Sequence, residues 1–110
     1  MLLFVYGTLK KGRGNDGLLS TSKFVGFDKL KGKLFDLGGC PGYLNQGESE
    51  VMGEVYEINH PTLMHCDVLE GHPHCYKREI LTTNGGLKVW VYIYPENRTR
   101  ENTIIPSGEW

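Results

Sequence analysis

The stretch Leu87-Lys88-Val89-Trp90-Val91-Tyr92-Ile93-Tyr94 decides the fold class. Val89, Val91 and Ile93 alternate with Trp90, Tyr92 and Tyr94, the period-two pattern of a strand whose aliphatic and aromatic faces both suit burial or a pocket wall. Immediately before it, Asn84-Gly85-Gly86 is a hairpin signal, because Asn-Gly readily takes the positive φ of a type I′ turn. Antiparallel pairing with a strand over 76–83 follows. Further strand-like stretches lie at 2–6, at 24–37 with a break near Gly32, and at 51–58. The 15 glycines are scattered along the whole chain and point to short elements joined by tight turns, hence to a sheet-rich fold.

One segment reads clearly as a helix. Asn59 is a natural cap, Pro61 is tolerated in the first turn, and Leu63, Met64, Asp67, Val68 and Leu69 follow before Gly71 and Pro73 end the run near Glu70. A second short helix is expected around Leu18 and Leu19. The tail from Pro95 to Trp110 is polar and is expected to wrap the body of the fold, a barrel, or to fray.

A chain of 110 residues can bury one core, so a single domain over 1–110 is expected. Twelve Lys and Arg against 13 Asp and Glu leave a formal net charge of −1, which gives no general electrostatic reason to approach nucleic acid or an anionic membrane. A small-molecule partner fits better. The apolar run from Leu2 to Tyr6 stops at Gly7, too short for a secretory or membrane segment, and reads as a buried first strand. Cys40, Cys66 and Cys75 make an odd count without a disulfide framework, which points to a reducing, cytoplasmic setting. No heptad or unpartnered apolar helix is visible, so a monomer or weak homodimer is expected.

Two segments can carry chemistry. In Tyr6-Gly7-Thr8-Leu9-Lys10-Lys11-Gly12 a buried strand runs into a glycine turn, which can aim successive backbone N–H groups into one concavity that holds a carboxylate. The plainer alternative is an ordinary strand-ending turn. The segment lacks the Gly-Lys-Ser/Thr ending of a phosphate loop. In Asp67-Val68-Leu69-Glu70-Gly71-His72-Pro73-His74-Cys75-Tyr76-Lys77-Arg78 a carboxylate sits where the helix gives way to a constrained turn. The helix dipole and partial burial both disfavour its charged form and raise its pKa toward a value useful for proton transfer, whereas a solvated helix-end glutamate would do nothing of the kind.

Together, Tyr6-Gly7-Thr8-Leu9 and Asp67-x-x-Glu70-Gly71-x-Pro73-x-x-Tyr76-x-Arg78 resemble the paired signature of the γ-glutamylcyclotransferase-like family, which includes γ-glutamylamine cyclotransferases and AIG2-like proteins. Gly53-Glu54-Val55-Tyr56 and Val91-Tyr92-Ile93-Tyr94 also look like that family's strands. The resemblance implies an α+β fold, a compact and mostly antiparallel β-barrel with one or two short helices. It implies a cavity between the first loop and Glu70, and release of 5-oxoproline from a small γ-glutamyl compound without metal or cofactor. Glu70 would be the general acid/base and the N–H groups of Gly7, Thr8 and Leu9 would hold the substrate carboxylate. Backbone N–H groups or the Tyr92 or Tyr94 hydroxyl would stabilise the oxyanion. Tyr6, Tyr43, Tyr76, Arg78 and Tyr92 complete the candidate substrate contacts, with Tyr43 on a variable rim over 37–43. For Arg78 the favoured reading is a pair with a carboxylate of the protein, with substrate contact the lesser alternative, and Tyr76 can be core. The chain departs from the commoner pattern at Asn15-Asp16, where many members carry Asn-His, and at Cys40, where a bulky aromatic is often found.

Two other classes compete. A module of the same fold could bind a small carboxylate without turnover. His65, Cys66, His72, His74 and Cys75 are all metal-ligand types, although their spacing matches no usual structural zinc pattern.

Overall fold

The computed structural model describes residues 1–99 and 103–110. Its elements are β1 (Leu2–Val5), a 3-10 turn (Asp16–Leu19), β2 (Lys23–Lys31), β3 (Lys33–Asp36), β4 (Pro41–Leu44), β5 (Glu50–Glu57), α1 (His60–Glu70), β6 (Lys77–Thr82), β7 (Lys88–Ile93), a second 3-10 turn (Glu96–Arg98) and β8 (Thr103–Ile104). Five strands form one sheet in the order β2-β5-β1-β7-β6, and three form a second in the order β4-β3-β8. All pairs are antiparallel except β1 with β7, which run parallel with Leu3 opposite Trp90. The α+β class holds, but the expected barrel is corrected. The larger sheet ends on β2 and β6, and the smaller sheet is separate, so the strands do not close into one cylinder.

The break expected near Gly32 divides the long apolar stretch into β2 and β3, and with it the chain passes from one sheet to the other. Residues 41–43, expected as the end of a loop over 37–43, instead belong to the buried strand β4. It lies at a sheet edge and begins with proline, the strand position at which a missing N–H is tolerated. The hairpin over 83–87 joins β6 and β7 in the expected antiparallel register, but its turn differs. Asn84 and Gly85 keep ordinary φ, Gly86 takes φ 88°, and the Gly86 N–H closes on the Thr83 carbonyl at 2.9 Å. The left-handed residue therefore follows the turn, in the manner of a bulged hairpin.

β1, the middle strand of its sheet, is buried on both faces because α1 packs on one side and residues of the second sheet on the other. Leu3 and Val5 join Leu63 and Cys66 of α1, together with Ile58 and Tyr92. Phe4 and Tyr6 point the other way, into a cluster with Leu34, Tyr43, Val55, Val89 and Val91. The alternation read along β7 divides accordingly, with the aliphatic Val89 and Val91 on the second cluster and the aromatic Trp90 and Tyr92 on the first. Asn59 caps α1 as expected, its Oδ1 accepting the Thr62 N–H at 2.9 Å. The helix thus lies on one face of the sheet with its last turn beside the exit of β1.

Candidate active site

The loop after β1 is held by its own backbone. Lys10 N–H donates to the Gly7 carbonyl at 3.0 Å and Asn15 N–H to the Thr8 carbonyl at 2.9 Å, while the Asn15 amide donates to Thr8 Oγ1 at 2.9 Å. Among the described residues, the N–H groups of Gly7, Thr8 and Leu9 donate to no protein acceptor. A wall of unspent donors is what a carboxylate-binding concavity requires. Gly7 also lies so close to Pro41 that an added Cβ would come within 2.8 Å of the proline ring. Only glycine allows that approach, and it brings residues 39–41 alongside the loop.

The other wall is the end of α1. Gly71 takes φ 65° and donates to the carbonyls of Asp67 and Val68, and His72 N–H also reaches the Asp67 carbonyl at 2.9 Å. This left-handed cap stops the helix at Glu70. The Tyr76 N–H then ties the following turn back to the Glu70 carbonyl at 3.2 Å. The Glu70 carboxylate has no hydrogen-bond or ion-pair partner among the described residues. Burial pushes it up to about 7, and its place at a helix C-terminus acts in the same sense.

One turn earlier, Asp67 accepts from Arg78 Nε at 2.8 Å, from Arg78 Nη2 at 3.1 Å and from the Tyr92 hydroxyl at 2.7 Å. Burial alone would raise its pKa, but those bonds outweigh it and hold the carboxyl below its ordinary value.

These walls enclose a cavity of about 290 Å³, at the small end for a ligand site. Tyr6, Gly7, Thr8, Leu9, Glu70, Tyr76 and Tyr92 of the sequence-expected set all line it. The tyrosine hydroxyls are already spent. Tyr6 donates to the Tyr92 carbonyl at 2.6 Å, Tyr76 to the Pro41 carbonyl at 2.9 Å, and Tyr92 to Asp67. Tyr94 packs its ring on Tyr76 and is not part of the lining. The main-chain N–H groups of Gly7, Thr8 and Leu9 are therefore the donors left free in the lining.

One expected contact is corrected, and of the two readings of Arg78 the structure shows the pair with a protein carboxylate. Tyr43 is wholly buried in the second core cluster, its hydroxyl donating to the Lys31 carbonyl, because β4 is a strand and turns this ring inward. Arg78 grips Asp67, stacks over Trp90 at 4.4 Å and lies outside the cavity lining. Gly39, Cys40 and Pro41 of the rim expected over 37–43 also line the cavity, whereas Asn15 and Leu69 are lining residues not expected from the sequence. Leu69 had a signal in its place next to Glu70, and Asn15 comes in through its bond to Thr8. The Cys40 thiol sits 3.6 Å from the Tyr76 hydroxyl. The histidines and cysteines at 65–75 do not converge: among the described residues no three His, Cys, Asp or Glu side chains are arranged to hold a metal ion.

Residues 3–110 match the family model described as gamma-glutamyl cyclotransferase, AIG2-like. The chain belongs to this family. A gamma-glutamylcyclotransferase-family relative from Vibrio cholerae is 41% identical over 111 residues, covering 99% of this chain and 94% of that one. The Escherichia coli gamma-glutamylcyclotransferase family protein YtfP is 33% identical and covers 100% of this chain and 96% of its own. A crystal structure of a mouse AIG2-like protein superposes with a TM-score of 0.81 at 25% identity, covering 99% of this chain and 86% of that one. The gamma-glutamyl cyclotransferase family thus accounts for the arrangement of loop, helix end and sheet. No helix among the described residues is long and apolar enough to cross a membrane.

Proposed function

We propose that this cavity releases 5-oxoproline and a free amine or amino acid from a small γ-glutamyl compound, with Glu70 as general acid/base. The observation that carries the reading is the unpartnered, half-buried Glu70 carboxylate, raised to about 7, across the cavity from the unspent N–H groups of Gly7, Thr8 and Leu9.

The substrate α-carboxylate binds those N–H groups, which folds the glutamyl chain so that its α-amine meets its own γ-carbonyl, a proximity effect. Glu70 takes the proton that the amine sheds as nitrogen attacks the carbonyl carbon. The oxyanion of the tetrahedral intermediate is held by main-chain N–H donors. As the intermediate collapses, the bond to the departing nitrogen breaks and Glu70 returns the proton to it. A residue with a pKa near 7 suits both transfers. The steps need neither metal nor cofactor, and a monomer or weak homodimer suffices because Glu70 and the N–H groups belong to one chain. A reducing, cytoplasmic setting is part of the proposal, supported by three cysteines that are all free thiols.

The test is 5-oxoproline release from a panel of γ-glutamyl amines, γ-glutamyl amino acids and γ-glutamyl-ε-lysine, with wild type beside Glu70→Gln. Release by wild type and none by the folded variant is expected. Full activity in Glu70→Gln would overturn the assigned role. No release by folded wild type would move the reading to a small-carboxylate binding module using the same N–H groups.

A further inference from the structure

The loop that carries Gly7, Thr8 and Leu9 is gripped from behind by the far end of the chain. Lys10, itself only 8% exposed, donates from Nζ to the main-chain oxygen of Trp110 at 2.8 Å, and Arg13 Nη2 donates to the same oxygen at 2.8 Å. The Arg13 guanidinium also lies over the Trp110 ring, 5.1 Å from its centre. Trp110 in turn packs against the core cluster that holds Phe4 and Tyr6.

Residues 103–110 are themselves anchored at several points before they reach the loop. β8 pairs with β3, Ile105 N–H donates to the Leu34 carbonyl at 2.7 Å, and Met52 N–H of β5 donates to the Gly108 carbonyl at 2.8 Å. Gly108, at φ 70°, passes so close to the Glu50 carbonyl that no side chain fits there. The strap thus bridges the two sheets and ends on the loop. It is tied to the far side of the same loop as well, because β3 pairs with β4 and Pro41 of β4 presses on Gly7.

We infer that residues 103–110 are a strap that positions the carboxylate-binding N–H groups, with Lys10 and Arg13 as positioning residues that act through Trp110. The cationic side chains thus serve the site from outside the cavity: neither Lys10 nor Arg13 lines it. This inference rests on the cyclotransferase reading for its kinetic consequence, but not for its structural one. The carboxylate is held alike in ground state and transition state, so slackening the strap chiefly raises KM, with a smaller fall in kcat where the bound glutamyl chain is less tightly folded.

The experiment compares wild type, Lys10→Met, Lys10→Arg and the milder Arg13→Gln in two measurements. The first is steady-state release of 5-oxoproline from the best substrate of the panel above. The second is hydrogen exchange at the Lys10, Arg13 and Asn15 amides, whose bonds to the Gly7, Lys10 and Thr8 carbonyls report on the loop. In Lys10→Met, KM is expected to rise about tenfold with kcat held within about twofold, and the three amides to exchange about tenfold faster, from loss of a charged hydrogen bond. Lys10→Arg should restore both readouts, Arg13→Gln should move both less, and amides of β1 and α1 should not change. Loop exchange identical to wild type in Lys10→Met would overturn the strap, as would a loss of kcat at unchanged KM. A wild type that releases no 5-oxoproline would overturn the cyclotransferase reading alone, because hydrogen exchange still decides the strap.

Discussion

Asp67 and Glu70 are two carboxylates on the last turn of one helix, and they live in opposite conditions. Asp67 is saturated, taking two bonds from Arg78 and one from Tyr92, and its proton is held off. Glu70 is equally part of the helix but has no partner among the described residues, and burial lifts it to about 7. Their side chains differ by one methylene. The difference in role comes from what faces them: β6 and β7 bring donors to Asp67, while the loop after β1 turns main-chain N–H groups toward a cavity and offers Glu70 no donor. Proximity in sequence therefore says little about which carboxylate is saturated and which is free to take the proposed reactive role.

The comparison breaks first at Glu70. Glu70→Gln keeps the shape and cannot move a proton, so kcat is expected to fall by about 10²–10⁴ with folding intact. In wild type, kcat/KM should fall about tenfold per pH unit below about 7 as the base is protonated, a limb read from the pH profile. Activity in wild type that stays flat from pH 5 to 8 would separate Glu70 from the proton transfer. At Asp67 the expected loss is in stability instead. Asp67→Asn leaves a half-buried Arg78 without its counter-charge and should cost about 2–3 kcal/mol, measured by urea unfolding. An unchanged midpoint would mean that Trp90 stacking alone holds Arg78.

The sequence carried much of this, for identifiable reasons. β7 and α1 were legible because their patterns are local: strict alternation in one, and Asn59, Pro61 and Gly71 as punctuation in the other. Glu70 and Gly7, Thr8 and Leu9 were legible only as a pair of motifs, since either segment alone reads as an ordinary turn or helix end. What escaped depends on distant partners. β4 looks like a loop because Gly39, Pro41 and Gly42 break its pattern, and it becomes a strand only when β3 lies beside it. With β4 misread, Tyr43 was put on the rim instead of in the core. The pairing of Arg78 with a protein carboxylate is legible, but its partner Asp67, 11 residues away on another element, is not. The strap was invisible, since nothing in Lys10 or Arg13 announces an oxygen at Trp110.

Stability sharpens the contrast between the two carboxylates because they carry opposite pH signs. Glu70 is raised above its unfolded value of 4.5, so between that value and about pH 7 the native state binds more protons than the unfolded one. Stability then falls as pH rises through this window, by about 2–3 kcal/mol if burial persists on ionisation. Glu70→Gln removes the titration, so above pH 7 the inactive variant should be the more stable protein and near pH 4.5 the two should converge. Asp67, held below its ordinary value, acts in reverse: its contribution is present above the unfolded value of 3.8 and is lost as pH falls through its native pKa. Parallel stability curves for wild type and Glu70→Gln would show that the Glu70 carboxylate is solvated.

The smallest expected effect lies at Tyr92, which lines the cavity and yet spends its hydroxyl on Asp67. Tyr92→Phe removes one of three bonds to that carboxylate and should cost about 1 kcal/mol. It should also move the Asp67 pKa upward, because a hydrogen bond to the charged form has gone. The decisive readout is kcat. If Tyr92 belongs to the Asp67 network alone, turnover should stay within about threefold of wild type, far from the loss that removal of an oxyanion donor brings. A fall of about a hundredfold or more would mean that the hydroxyl leaves Asp67 when substrate binds and turns to the oxyanion, and the division between the structural and the reactive carboxylate would then hold only for the empty site.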